Sequence, residues 1–195
     1  MRTRWAWGVA VSLRWGAELV WFSDEVSARL EDAQFTLGQG PGLTGDFSEV
    51  PFQVEDLQTA GWWPQFVAEA AALKGRAVFV WPVRSGAARF GTLTGYRTTP
   101  GPLSGQQAAD GLRVADALTG RLLAWRPGSG NDGDGPGQAG AVDLHRVEVH
   151  QATGVLSVRL GVPMDEALVR LRARAFASGR PLTEAARDVL SDLPP

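Results

Sequence analysis

Residues 127–142, PGSGNDGDGPGQAGAV, hold no large apolar side chain before Val142. A run of glycine, aspartate and proline cannot bury enough surface to offset the entropy of ordering it, so the segment predicts a flexible linker. This constrains the fold strongly, because residues 1–126 and 143–195 must then each find a core. A chain of 195 residues can supply two small units. Within the linker, Asn131-Asp132-Gly133-Asp134-Gly135 has the look of a calcium loop. An EF-hand would need a further acid near the twelfth loop position and helices on both sides, and the sequence offers neither.

The hydrophobic fraction of 44% and charged fraction of 21% are those of a globular protein. No apolar run approaches the ~18 residues of a membrane span. Arg2 and Arg4 precede WAWGVAVSLRW, whose apolar run is short and interrupted by Ser12 and Arg14, so it reads as a strand and not as a signal peptide. The chain has no cysteine. That removes disulfides, thiolate metal sites, iron–sulfur clusters and cysteine nucleophiles, and it fits a cytoplasmic protein. The net charge of −2 gives no general field to attract nucleic acid. From Asp143 onward seven arginines are balanced by seven acids. Any RNA contact there must come from where particular arginines are placed.

Before the linker, strand and helix patterns alternate. WGVAVSLR (7–14) and AELVWF (17–22) read as a hairpin through Trp15-Gly16. Ser23 or Asp24 should cap a short helix through Leu30, and FTLGQGPGLTG (35–45) reads as a glycine-rich loop. PFQVEDL (51–57) holds a short strand, and Pro64 opens an alanine-rich helix closed by Gly75. RAVFVWPVR (76–84) and ARFGTLTGYR (88–97) should pair across Ser85-Gly86-Ala87. Ser104 then caps a helix with Leu112, Ala115, Leu118 and Leu122 at helical spacing. The order suits an antiparallel sheet with helices packed against it.

Several residues here carry a family likeness: Leu37-Gly38-x-Gly40-Pro41, the Val54-Glu55-Asp56-Leu57 step, Trp63-Pro64, and Gly91-x-Leu93. With them, roughly residues 9–124 resemble the GAF domains of sensor-regulators. The resemblance implies an α+β fold and a sensory role, for an unknown small-molecule or protein signal. No cofactor is implied, and side-chain ligation of haem or an iron–sulfur centre has no support, since this region has neither cysteine nor histidine.

After the linker, three short amphipathic helices follow with almost no loop between them. The first should run from about Asp143 to Leu160 and end at Gly161. Pro163 suits a helix start, with Asp165 and Glu166 well placed at its positive end. Leu168, Leu171 and Ala175 form one stripe, and Ser178-Gly179 ends the second helix. Pro181 opens the third, with Leu182, Ala185, Ala186 and Val189 inward. The positions Ala152, Gly154, Val155-Leu156, Glu166-Ala167, Leu171-Arg172, Ala175, Leu182 and Ala185-Ala186 resemble the ANTAR domain, a three-helix RNA-binding module of transcription antitermination regulators. Thr153 stands where that family usually has a basic residue, and Pro163 where it often has Ser or Thr.

The resemblance implies a small all-α domain over 143–195 that binds RNA hairpins in nascent transcripts. It points to Arg159 near the end of the first helix, Arg170, Arg172 and Arg174 on the second, and Arg180 before the third. Arg170 and Arg174, four apart, share a face, while Arg172 lies on another. Arginine can pair phosphates and stack on unpaired bases. Glu166 and Arg170 should also form a helix-stabilising pair, and a solvated, salt-bridged surface is the plainer role for such residues. His145 and His150, five apart, do not share a face as a metal pair would. Gly38-x-Gly40-x-Gly42-x-x-Gly45 lacks the Lys-Ser/Thr of a phosphate loop and reads as a tight connection. The eight tryptophans read mainly as core. No catalytic constellation stands out, so an enzyme is not expected. Two readings remain: a dimeric RNA-binding regulator, or a helical module that docks a protein or a second copy without binding RNA.

Overall fold

A computed structural model describes residues 7–13, 18–45, 51–124 and 146–192. The linker expected at 127–142, and His145, lie outside these residues. The first two strands, β1 (Trp7–Leu13) and β2 (Glu18–Phe22), pair antiparallel with a bulge between Val11 and Ser12. Asp24 caps the next helix, α1 (Glu25–Leu37), by accepting the backbone N–H of Ser27 at 3.0 Å. This helix runs seven residues past Leu30, into the segment expected to be loop. Its second half survives a polar stretch because Glu31 and Gln34 turn inward and find partners inside, while Leu30 and Phe35 are buried beside them. Gly38 ends it in the left-handed conformation, at φ 66°.

A single turn, α2 (Pro41–Thr44), leads to β3 (Phe52–Val54) and then α3 (Pro64–Ala72). The long strands β4 (Ala77–Ser85) and β5 (Ala88–Arg97) form the centre of the sheet. The sheet order is β2-β1-β5-β4-β3, all antiparallel. Proline is unusual inside a central strand. Pro82 is tolerated because β3 stops at Phe52, opposite Val80, so the ladder on that side ends before Pro82. Gly91 allows the tight approach of β5 to β1, since a Cβ there would collide with the carbonyl oxygen of Ser12.

Alternation along the strands gives the sheet two covered faces. On one, Ala10, Val78, Val80 and Tyr96 pack with Leu30 of α1 and Phe66 and Ala70 of α3. On the other, Val11, Phe79, Trp81 and Leu93 pack with Ala115 of α4 (Gly105–Ala124). Ser104 and Gln107 cap α4 reciprocally: the Gln107 N–H donates to Ser104 Oγ at 3.2 Å, and the Ser104 N–H to Gln107 Oε1 at 2.9 Å. Trp81 Nε1 donates to the Ala108 carbonyl, and the ring lies where a side chain on Gly111 would stand. Of the tryptophans whose burial is described, Trp81 is in the core. Trp21 and Trp62 are exposed, and Trp62 stacks edge-on against the half-buried Trp63. Aromatic content alone therefore overstated the buried share.

The C-terminal part is a three-helix bundle of α5 (Val147–Leu160), α6 (Met164–Ser178) and α7 (Leu182–Ser191). Gly161 and Gly179 cap α5 and α6 in the left-handed conformation, while Pro163 and Pro181 stand just ahead of α6 and α7. Ala152, Leu171, Ala175, Leu182, Ala185, Ala186 and Val189 meet at the centre. Val149 of α5 joins them, and so does a residue from outside the bundle, Phe35 of α1. Among the described residues no helix is long and apolar enough to cross a membrane.

Candidate nucleic-acid interface

The arginines singled out in the sequence fall into three situations. Arg174 is exposed on α6 and has no ion pair among the described residues. Arg170, one turn earlier on the same flank, gives its Nε to Glu166 at 3.1 Å. Arg180 is held by Glu184 at 3.0 Å and Asp188 at 2.6 Å, and Arg159 reaches the Asp192 carbonyl at 2.6 Å. The two carboxylates raise the pKa of Arg180, so its charge is firmly in place, but they also compete with any phosphate. Arg187, on α7, similarly pairs with Glu148 at 3.0 Å.

Arg172 is different, because it lies under the α1 helix. Its guanidinium sits over the Phe35 ring, 5.2 Å from the centroid. Its tip reaches the backbone at Gly38, where an added Cβ would be 3.0 Å from Nη1. The Nε is buried without a hydrogen-bond partner. Burial, and then the nearby charge of Arg146, lower its pKa. Arg146, just before α5, stacks on the same ring at 4.1 Å and pairs with Asp32 of α1 at 2.9 Å. His150 meets Phe35 edge-on at 6.1 Å. Phe35 is thus a plug driven into the bundle, gripped by groups from α5 and α6. The sequence offered little sign of this, since Phe35 stood at the start of an expected loop.

Phe176 also escaped the sequence reading. It lies four residues beyond Arg172, off the inward stripe of Leu168, Leu171 and Ala175, and is 75% exposed. An exposed aromatic ring is a surface on which an unpaired base can stack. Its place off the stripe was readable from the sequence spacing. Val169 and Val158 are exposed as well. Thr153, which replaces the usual basic residue, is buried and donates to the Val149 carbonyl at 2.6 Å, so it presents nothing to a ligand.

Behind Phe35 a polar cluster fills the space between α1 and the sheet. The Glu31 carboxylate is buried and accepts from Tyr96 O–H at 2.8 Å, Ser12 Oγ at 2.8 Å and Gln34 Nε2 at 3.2 Å. Gln34 Oε1 accepts the Gly42 N–H at 2.7 Å, tying α2 to α1. Burial and the Glu31 charge push the Tyr96 hydroxyl well above its ordinary pKa of 10.0. Among the described residues no group of three or more acids or histidines could hold a metal ion.

Residues 142–190 match the ANTAR domain family. No curated protein matches the chain. Seven chains of solved structures match it, two of them as follows. One is a domain of a two-component sensor histidine kinase protein from Sinorhizobium meliloti 1021, at 14% identity and a TM-score of 0.48, covering 60% of this chain and 78% of that one. The other is a red/green cyanobacteriochrome in its red light-absorbing state, at 18% identity and a TM-score of 0.41, covering 61% and 86%. The ANTAR domain family matches residues 142–190, and these follow an antiparallel five-stranded sheet flanked by helices.

Proposed function

We propose that this chain is a cytoplasmic sensor-regulator that binds RNA hairpins in nascent transcripts and acts in transcription antitermination, under control of its GAF-like part. The ANTAR match carries this reading. Exposed Arg174 supplies a phosphate contact on one face of α6, and exposed Phe176 a stacking ring on another. Arg170, Arg159 and Arg180 join when RNA phosphates displace their present partners. The control follows from Phe35: docking of α1 on the bundle covers Arg172, and undocking would free it. The GAF-like part and the ANTAR domain are two units joined through 127–142, and the active form is a homodimer.

One observation favours a second reading. Phe176 and Val169, seven apart on α6, give that helix an exposed apolar stripe, while Arg170, Arg180 and Arg187 are already paired with acids of the same bundle. Such a surface suits a protein partner or a second copy. Filter binding with short paired RNA hairpins across a salt series separates the two. The RNA reading expects affinity that falls as salt rises, because counterions are released on binding. A folded protein that binds no hairpin at low salt leaves the interaction module.

A further inference from the structure

We propose that α2 is a lever between Trp63 and Phe35: when its hold on Trp63 slackens, Gln34 passes the movement along α1 and Arg172 is uncovered. The outer end of this path is a strained backbone. Trp63 has φ 53°, in the left-handed region that a bulky residue seldom occupies, and it stands just ahead of Pro64 at the start of α3. Its indole Nε1 donates to Thr44 Oγ1 of α2 at 2.6 Å. Its ring packs edge-on against Phe52 at 6.3 Å and against Trp62 at 5.7 Å. Trp62 is 62% exposed, so this end lies at the surface. Strain of this kind persists only where neighbours hold it, and it gathers at switch regions.

The middle of the path is Gln34, which is 1% exposed. Its Oε1 accepts the Gly42 N–H of α2 at 2.7 Å, and its Nε2 donates to the Tyr96 hydroxyl at 2.7 Å and to Glu31 at 3.2 Å. The side chain runs beneath Gly40, whose φ is 144° and where a Cβ would collide with it. α2 is a single turn, closed by the Thr44 N–H and hydroxyl on the Gly40 carbonyl, so it moves as one piece. A shift of α2 takes the Gly42 N–H away from Gln34, and a buried amide has no water to replace it. Phe35 is the next residue on α1. Gln34 turns to the sheet and Phe35 to the bundle, so both ride on one helical turn.

The inner end is a balance of opposing terms. Docking buries the Phe35 ring, but the docked helix also covers Arg172, whose Nε is left without a hydrogen bond. A gain in apolar burial is set against the desolvation of a charged group. Two arrangements close in free energy are exchanged by a modest push. The consequence for RNA rests on the reading above, in which undocking α1 frees Arg172; the movement itself does not.

Phenylglyoxal modification of Arg172 in the full chain, read by mass spectrometry, tests the path without RNA. The unaltered protein should protect Arg172, while exposed Arg174 on the same helix reacts at full rate. Thr44→Val removes the acceptor for Trp63 and should speed Arg172 modification about threefold to tenfold, the effect of losing one neutral hydrogen bond. Gln34→Met breaks the hold on Gly42 and should speed it at least as much. The two together should do no more than Gln34→Met alone, because they break one path in series. Arg174 should keep its rate in every variant. Leu118→Ala weakens packing on the other face of the sheet and should leave Arg172 protected. Thr44 is exposed, so Thr44→Val stays folded even where Gln34→Met does not. The proposal is overturned if folded Thr44→Val leaves Arg172 protected, if the two effects add, or if Leu118→Ala uncovers Arg172 as well. Arg172 uncovered by Thr44→Val upholds the lever even where hairpin binding proves absent, so the two failures are distinguishable.

Discussion

The N-terminal sheet and the C-terminal bundle are built on different kinds of core. The sheet packs Phe66, Phe79, Trp81, Tyr96 and several β-branched residues on its two faces, all from its own segment. The bundle packs Ala152, Ala175, Ala185 and Ala186 with Leu171, Leu182, Val149 and Val189. Alanine lets helices approach closely but buries little area, and burial is what stabilises, at roughly 25 cal/mol per Å². Among the described residues, the aromatic side chain buried in the bundle core is Phe35, which is borrowed from α1. A self-sufficient core resists regulation. A core completed by a neighbour's side chain couples its own stability, and the exposure of its arginines, to that neighbour's position.

The largest effect should come from Ala175→Asp. Ala175 is buried where α6 meets α5 and α7, and an unpaired carboxylate there should cost roughly 4 kcal/mol or more. Two melting transitions should separate, with the bundle lost first and the sheet nearly unchanged. A single transition shifted as a whole would mean that the two cores do not differ as described.

A smaller effect concerns the polar cluster of the sheet side. Tyr96→Phe removes the hydroxyl that donates to Glu31 and accepts from Gln34, leaving buried groups short of partners at a cost of roughly 1–3 kcal/mol. The same cluster gives a pH dependence. The folded-state pKa of Tyr96 lies above its unfolded value of 10.0, so its contribution is intact below pH 10.0 and is lost as pH rises further. The chain has one tyrosine, so tyrosinate absorbance reports on Tyr96 alone. It should appear only above pH 10.0, together with loss of circular dichroism. Reversible ionisation near the ordinary value in folded protein would contradict the buried network.

The smallest effect on stability, within about 0.5 kcal/mol, should come from Arg174→Ala, because the side chain is exposed and unpaired among the described residues. If Arg174 meets a phosphate, the salt dependence of hairpin binding should flatten by about one unit of slope. An unchanged slope with unchanged affinity removes Arg174 from the interface.

The sequence was legible where a pattern is local. The hairpins, the caps at Gly161 and Gly179, and the inward set Leu182, Ala185, Ala186 and Val189 follow from periodicity and turn residues. The Glu166–Arg170 pair follows from spacing on one helix. What the sequence hid depends on distant partners. Glu31 and Gln34 look like a helix surface until Tyr96 and Ser12 are brought to them from the sheet. Phe35 looks like a loop residue until Arg146 and Arg172 close on it from more than a hundred residues away. The arginine set has the same division: Arg174 stands where the helix pattern puts it, whereas the cover over Arg172 is a tertiary fact.

The most direct test of the borrowed core is hairpin affinity of the full chain with Phe35→Ala. Removing the plug should undock α1 and free Arg172, so a short paired hairpin should bind more tightly than to the unaltered chain, by several-fold at low salt. Adding Arg172→Ala to Phe35→Ala should erase that gain. Circular dichroism should show α5, α6 and α7 still helical in both variants. Equal or weaker hairpin binding by Phe35→Ala, with the bundle still folded, would contradict control through α1.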